Sequence, residues 1–357
     1  MNDDLIEAVD PREEYVACAC ALASGEASAR EDLRIVLTAM HGVGAATTSR
    51  VLAEAGFTNV SLVAAQADPD PDFPTVPFPN PEEAGALDMA IEQARAEDAD
   101  LIIAVDPDAD RCALAVPDPT SETGWRPLSG DQIGSLLGEF LASRGLRGSL
   151  ANSIVSSRLL ARIARSHGLE HHTTLTGFKW IARAPQLAFG YEEAIGFCPN
   201  PSAARDKDGI ASSVVAASLF AALKTEGRTA WDELDRLAHA HGLHVTGPLT
   251  FRVEEIAQIA TGMARLRAQP PSDLAGSPVV EVSDLAEGYQ GLPPTDGILV
   301  LTEAGDRVIA RPSGTEPKLK CYLEVILPAP EGEPVPWEAA RERLELIKRE
   351  FGQIIGL

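Results

Sequence analysis

The chain has 357 residues, with 30 basic side chains against 53 acidic ones and a formal charge of −23 at pH 7. That length suits about two to four domains, and the charge argues against a broad surface for DNA or RNA phosphates, although a local basic cluster can still hold one small anion. Five scattered cysteines, an N-terminus (MNDDLIEAVDPREEY) without a signal-peptide pattern, and no apolar run near the ~18 residues of a membrane span predict a soluble cytoplasmic chain with reduced thiols, engaging neither nucleic acid nor membrane.

The first thirty residues read as a helix and linker. IVLTAM (35–40) reads as a strand, HGVGA as a turn, TTSRVLAEAGF as a helix and VSLVAA (60–65) as a second strand. DPDPDFPTVPFPNPEE is too rich in proline for either element and is predicted to be a loop, with a helix starting at Asn80-Pro81-Glu82-Glu83. LIIAV (101–105) is the third strand. Strand-like runs alternating with helical patterns predict parallel α/β layers, whose ligands bind at the C-terminal ends of strands.

At that end of LIIAV lie Asp106, Asp108 and Asp110. In an extended loop alternate side chains point the same way, so the three carboxylates are expected to converge on a hard cation such as Mg²⁺. A solvated acidic turn is the plain alternative. A calcium-hand loop is excluded, because Arg111 stands where glycine is needed and Pro117 where glutamate is needed. A phosphatase with Asp106 as nucleophile and Asp108 as acid/base is a further reading, against which Ala109-Asp110-Arg111 replaces the expected glycine and threonine.

A second αβ series starts at DQIGSLLGEFLASRG and runs to WDELDRLAHAHG. It carries Gly177-Phe178-Lys179-Trp180, either a tight strand-to-helix turn or a cation placed near a ligand phosphate. It also carries Gly190-Tyr-Glu-Glu-Ala-Ile-Gly196, where Glu192 and Glu193 could accept bonds from vicinal sugar hydroxyls or be ordinary surface. In Arg205-Asp-Lys-Asp-Gly209, Asp208 can cap a helix while Lys207, its pKa lowered, shuttles protons; a surface ion-pair cluster is the alternative. From about residue 246 the pattern changes to strands joined by short turns and two helices, a small α+β domain. There Arg311-Pro-Ser-Gly-Thr-Glu-Pro-Lys-Leu-Lys320 combines a guanidinium fork, the hydroxyls of Ser313 and Thr315, and Gly314, where backbone N–H groups can approach a phosphate closely.

AMHGVG (39–44), DFPTVPFPNPEE (72–83), DPDADR (106–111), TGFKW (176–180), GYEEAIG (190–196), RDKDG (205–209) and RPSGTEPKLK (311–320), in this order, resemble the α-D-phosphohexomutase superfamily of phosphoglucomutases and phosphomannomutases. The resemblance implies two successive mixed or parallel αβα sandwich domains followed by a small α+β domain: a linker and helix over 1–30, domain II with the metal loop over 31–128, domain III with the sugar loop over 129–245 and domain IV over 246–357. It implies Mg²⁺ on Asp106, Asp108 and Asp110, with Arg111 beside a catalytic phosphoserine and Lys207 as acid/base. Gly177, Lys179, Glu192, Glu193, Arg311, Ser313, Gly314, Thr315 and Lys320 would bind a hexose phosphate, and a glucose 1,6-bisphosphate-type activator is implied as well. Ala194 stands where many relatives have a sugar-contacting serine, which leaves the choice of hexose open.

The family's first domain carries that serine in a Thr-x-Ser-His-Asn-Pro-like loop, which does not occur here; the one Ser-His pair, Ser166-His167, reads as a helix end. The expectation is therefore a mutase polypeptide inactive alone, either truncated or completed by a separately encoded N-terminal domain. A sugar-phosphate binding protein without catalysis is the alternative of a different class.

Overall fold

The computed structural model describes residues 9–253, 255–313 and 317–356. In chain order its elements are α1 (Arg12–Cys20), α2 (Ala27–Asp32), β1 (Ile35–Thr38), α3 (Ala45–Glu54), β2 (Val60–Leu62), α4 (Asp88–Ala96), β3 (Leu101–Val105), β4 (Cys112–Pro117), β5 (Trp125–Pro127) and α5 (Gly130–Ser143). Then come β6 (Ser149–Ser153), α6 (Leu159–Ser166), β7 (Glu170–Thr174), α7 (Phe178–Ile181), β8 (Leu187–Glu192), β9 (Gly196–Cys198), α8 (Gly209–Thr225) and α9 (Ala230–His241). The last stretch holds β10 (Leu243–Arg252), α10 (Ile256–Ala268), β11 (Asp273–Leu274), β12 (Ser277–Asp284), β13 (Ile298–Thr302), β14 (Arg307–Pro312), β15 (Lys318–Leu327) and α11 (Trp337–Ile355). Among the described residues no helix is long and apolar enough to cross a membrane.

The chain divides into two compact units. One runs up to Leu150 and includes Pro185–Ala230; the other is Ala151–Ala184 with the chain from Trp231. In the first unit a five-stranded sheet has the order β2-β1-β3-β4-β5. Both β1 and β3 are buried at every residue, as expected of central strands covered on two faces, and they run parallel, with Leu37 opposite Ile103. On the far side of β3 the sheet turns antiparallel: Val105 pairs with Cys112, so residues 106–111 are a hairpin connection. Helix α8 is capped by Asp208, whose carboxylate accepts from Ala211 N–H at 2.8 Å, and fourteen of its seventeen residues are buried, which suits an alanine- and valine-rich sequence with few charges.

Two expectations change here. The stretch 60–65 is a strand only to Leu62 and continues as a 3₁₀ turn at Ala64–Gln66. The helix expected from Asn80 begins at Asp88, because residues 80–86 close into successive turns (Glu83 N–H to Asn80 O, Ala86 N–H to Glu83 O) and Gly85 takes φ +82°. The first thirty residues, expected as helix and linker, hold α1 and most of α2, which pack on α3 and α8.

In the second unit the six-stranded sheet has the order β10-β15-β14-β13-β12-β11. Its strands alternate in the way a two-faced sheet requires. Val308 and Ala310 of β14, Ile298 and Val300 of β13, and Leu319, Cys321 and Leu323 of β15 join α10 and α11 in one core. The intervening Leu299 and Ile309 pack instead with Ile154, Val155 and Leu285.

Candidate functional site

The acidic triplet occupies the β3–β4 hairpin connection. One carboxylate oxygen from each of Asp106, Asp108 and Asp110 lies within 4.8 Å of the others, while the residues range from buried (Asp106) through partly buried (Asp110) to exposed (Asp108). The route to convergence differs from the expected extended loop. Residues 106–111 form a turn in which Ala109 N–H bonds Asp106 O at 2.9 Å and Ala109 takes φ +60°, an unfavourable region for a residue with a side chain. Three hard oxygen donors of graded exposure fit a cation such as Mg²⁺, which keeps several waters and takes few protein carboxylates.

The backing of this turn explains AMHGVG. Val43 N–H bonds Pro107 O at 2.8 Å, and a Cβ on Gly42 would lie 2.4 Å from Pro107 Cα; one on Gly44 would lie 2.7 Å from Ala109 Cβ. Only glycine at both positions lets the two loops touch, a contact that sequence reading missed although the two glycines signalled it.

Two cations contact the carboxylates of the triplet, Arg111 at Asp106 and Lys207 at Asp110. Arg111 donates to Asp106 twice, from N–H at 2.9 Å to Oδ1 and from Nε at 2.6 Å to Oδ2. Lys207 Nζ lies 2.8 Å from Asp110 Oδ2. Burial pushes the Asp106 carboxyl up, with the Arg111 donors opposing it. For Lys207, burial favours the neutral amine, but the Asp110 bond and the charges of Asp110 and Glu192 outweigh it and hold the pKa above the ordinary lysine value. That corrects the lowered pKa expected from sequence: the amine carries a firmly held proton. Glu192, at the end of β8, is pushed up to about 7, chiefly by burial and then by Glu193, against the charges of Lys207 and Arg111. Glu193 is partly buried in the same loop.

Asp106, Asp108, Asp110, Arg111, Glu192, Glu193 and Lys207 therefore come together in the first unit. The remaining sequence candidates belong to the second. Gly177 precedes α7 at φ +101°, and Lys179 is exposed on that helix. Arg311, next to the last residue of β14, lies opposite Lys320 of β15, and Ser313 N–H bonds Lys318 O at 2.8 Å, so these residues occupy one hairpin end. Gly314 and Thr315 lie outside the described residues.

Comparison with known proteins adds independent findings. Models of phosphoglucomutase/phosphomannomutase match the chain three times: alpha/beta/alpha domain II over residues 13–120, alpha/beta/alpha domain III over 129–240 and the C-terminal domain over 249–333. A Haemophilus influenzae protein named "Probable phosphomannomutase" is 43% identical over 326 residues, covering 91% of this chain and 64% of that protein. A Staphylococcus aureus phosphoglucomutase is 34% identical over 323 residues, covering 84% of this chain and 58% of the relative. The chain thus spans about three fifths of the length of these relatives. The crystal structure of Paramecium parafusin, a phosphoglucomutase, in an open form superposes with a TM-score of 0.71 at 18% identity, over 98% of this chain and 64% of that one, and shows the same fold.

Proposed function

The chain belongs to the phosphoglucomutase/phosphomannomutase family, with α/β domains II and III and the C-terminal domain IV, and from that premise we propose that it serves phosphoryl transfer between the 1 and 6 positions of a hexose phosphate. The observation that carries this reading is the convergence of Asp106, Asp108 and Asp110 beside Arg111, Lys207 and Glu192.

Asp106, Asp108 and Asp110 would hold Mg²⁺, which, when bound, offsets negative charge on a transferring phosphoryl group. Arg111 fixes the buried Asp106 through both oxygens and keeps the loop in its turned form. Lys207 holds a proton at Nζ, available to the sugar oxygen from which phosphate departs, as general acid catalysis requires. Glu192 and Glu193 accept bonds from sugar hydroxyls and orient the ring. Arg311, Ser313, Gly314 and Thr315 are proposed to grip the phosphate that does not react, and Gly177, Lys179 and Lys320 to bind the substrate.

No Thr-x-Ser-His-Asn-Pro-like loop occurs among the 357 residues, so we propose that the phosphoryl store lies outside them. The test is an assay of the purified 357-residue chain with Mg²⁺, glucose 1-phosphate and glucose 1,6-bisphosphate. Little or no glucose 6-phosphate is expected, while calorimetry should detect binding of the bisphosphate that Arg311→Gln weakens. Robust turnover would mean a nucleophile within these residues. The phosphatase alternative is disfavoured because Asp106, its supposed nucleophile, is 1% exposed with both oxygens engaged by Arg111.

A further inference from the structure

The metal loop is held from below by the first turn of α8, and that turn is secured by α1. Gly209 N–H bonds Ala109 O at 3.1 Å, which fixes the residue with positive φ inside the acidic turn. The approach is close enough that a Cβ on Gly209 would lie 2.4 Å from Arg111 O. One residue earlier, Asp208 N–H bonds Phe197 O at 2.8 Å; one residue before that, Lys207 reaches Asp110. Any shift of this turn would move Ala109 and Lys207 together.

What anchors the turn is the carboxylate of Asp208, which is 8% exposed and accepts from Ala211 N–H at 2.8 Å. Its partner from elsewhere in the chain is Tyr15, 193 residues away, whose hydroxyl donates to Asp208 Oδ1 at 2.7 Å. Tyr15 sits on α1, which is itself secured: Glu13 receives both terminal nitrogens of Arg50 on α3 at 2.7 and 2.6 Å, and Val16 and Ala19 are buried. A largely buried carboxylate deprived of one donor does not keep its place at no cost.

We propose that Tyr15 is a positioning residue for the cation site, acting through Asp208 to seat the start of α8 against the acidic turn and so to set Ala109, Asp110 and Lys207. The proposal rests on the metal reading above and deepens it. A segment that reads as linker in the sequence thereby acquires a defined role, because the hydroxyl at position 15 determines how well the three carboxylates are arranged for a divalent ion.

The experiment is Mn²⁺ titration of the full chain followed by electron paramagnetic resonance, which reads bound against free ion without any turnover. Tyr15→Phe removes only the hydroxyl and should raise the Mn²⁺ dissociation constant roughly three- to tenfold. Lys224→Ala serves as the control. It cuts the bonds from the last turn of α8 to Asp32 and Asp100, the far end of the same helix, and so loosens α8 without touching the turn at Asp208. Its Mn²⁺ affinity should stay within about twofold of the parent, whatever its melting temperature. Unchanged affinity in Tyr15→Phe, or equal weakening in both variants, would overturn the positioning role. If the parent chain fails to bind Mn²⁺ at all, the metal reading itself fails, a result distinguishable from the first.

Discussion

Two carboxylate clusters in this molecule are built on opposite terms. In the second unit Glu324 is completely buried on β15 and saturated: Oε1 accepts from Ser157 Oγ at 2.9 Å, Arg158 N–H at 2.8 Å and His244 Nδ1 at 2.8 Å, while Oε2 accepts from Arg158 Nε at 2.6 Å and lies 3.3 Å from Arg307. In the first unit the acidic triplet runs from buried Asp106 to exposed Asp108, and its third member is neutralised by one lysine. The carboxyl of Glu324 is held well below the usual range: burial opposes ionisation, but Arg307, His244 and Arg158 prevail. Asp106 is shifted the other way, burial winning over Arg111. A saturated carboxylate ties elements together; a cluster of carboxylates left short of positive charge is disposed to accept a cation.

That contrast can be broken most forcefully at Glu324. Glu324→Ala leaves Arg158 and Arg307 without their shared counter-charge and should cost about 3–5 kcal/mol, read by urea unfolding. A loss near zero would mean the saturated cluster is not structural.

Acid should separate the two regions next. His171, which contacts Asn152, is held at about 4 by burial, and His244 is also lowered by burial. An unfolded histidine takes up its proton near pH 6.5, so these groups favour the folded state above that pH, and the stabilisation is lost as pH falls through their folded values. Glu324, lowered from 4.5, adds a loss that begins only below that pH. His171 alone contributes up to about 3 kcal/mol, reduced by its partial exposure. Equilibrium unfolding between pH 7 and 4 should therefore show stability declining from about pH 6.5; a flat profile would contradict the burial of these rings.

The smallest effect belongs to the acidic triplet. Asp108→Asn removes an exposed carboxylate proposed as a ligand and should weaken Mn²⁺ binding at least about tenfold, while changing unfolding free energy by no more than about 0.5 kcal/mol. A variant that loses stability but keeps the ion would reverse the comparison.

The triplet was visible in the chain because a continuous apolar run followed by closely spaced acids is a local pattern, and the same holds for the alternating strands and paired turns after residue 246. Its shape was not: the alternate-side-chain argument assumed an extended loop, whereas the Ala109 turn depends on Gly42, Gly44 and Gly209 arriving from distant segments. Lys207 was legible as a polar residue before a helix cap, yet the sign of its pKa shift followed from Asp110, 97 positions earlier. Nothing around residue 15 or residue 324 announced a role.

Periodicity, proline and glycine placement, and the run of seven short motifs were enough to indicate most strands and helices and the family, and to single out the carboxylates proposed to bind metal, since each of these is written within a few neighbouring residues. Folding alone decided which charges meet. Tyr15 reaches Asp208 across 193 positions, and Arg158 reaches Glu324 across 166. Electrostatic compensation and hydrogen bonding act over a few ångströms of space, and the chain brings such partners into range only when its sheets and helices pack.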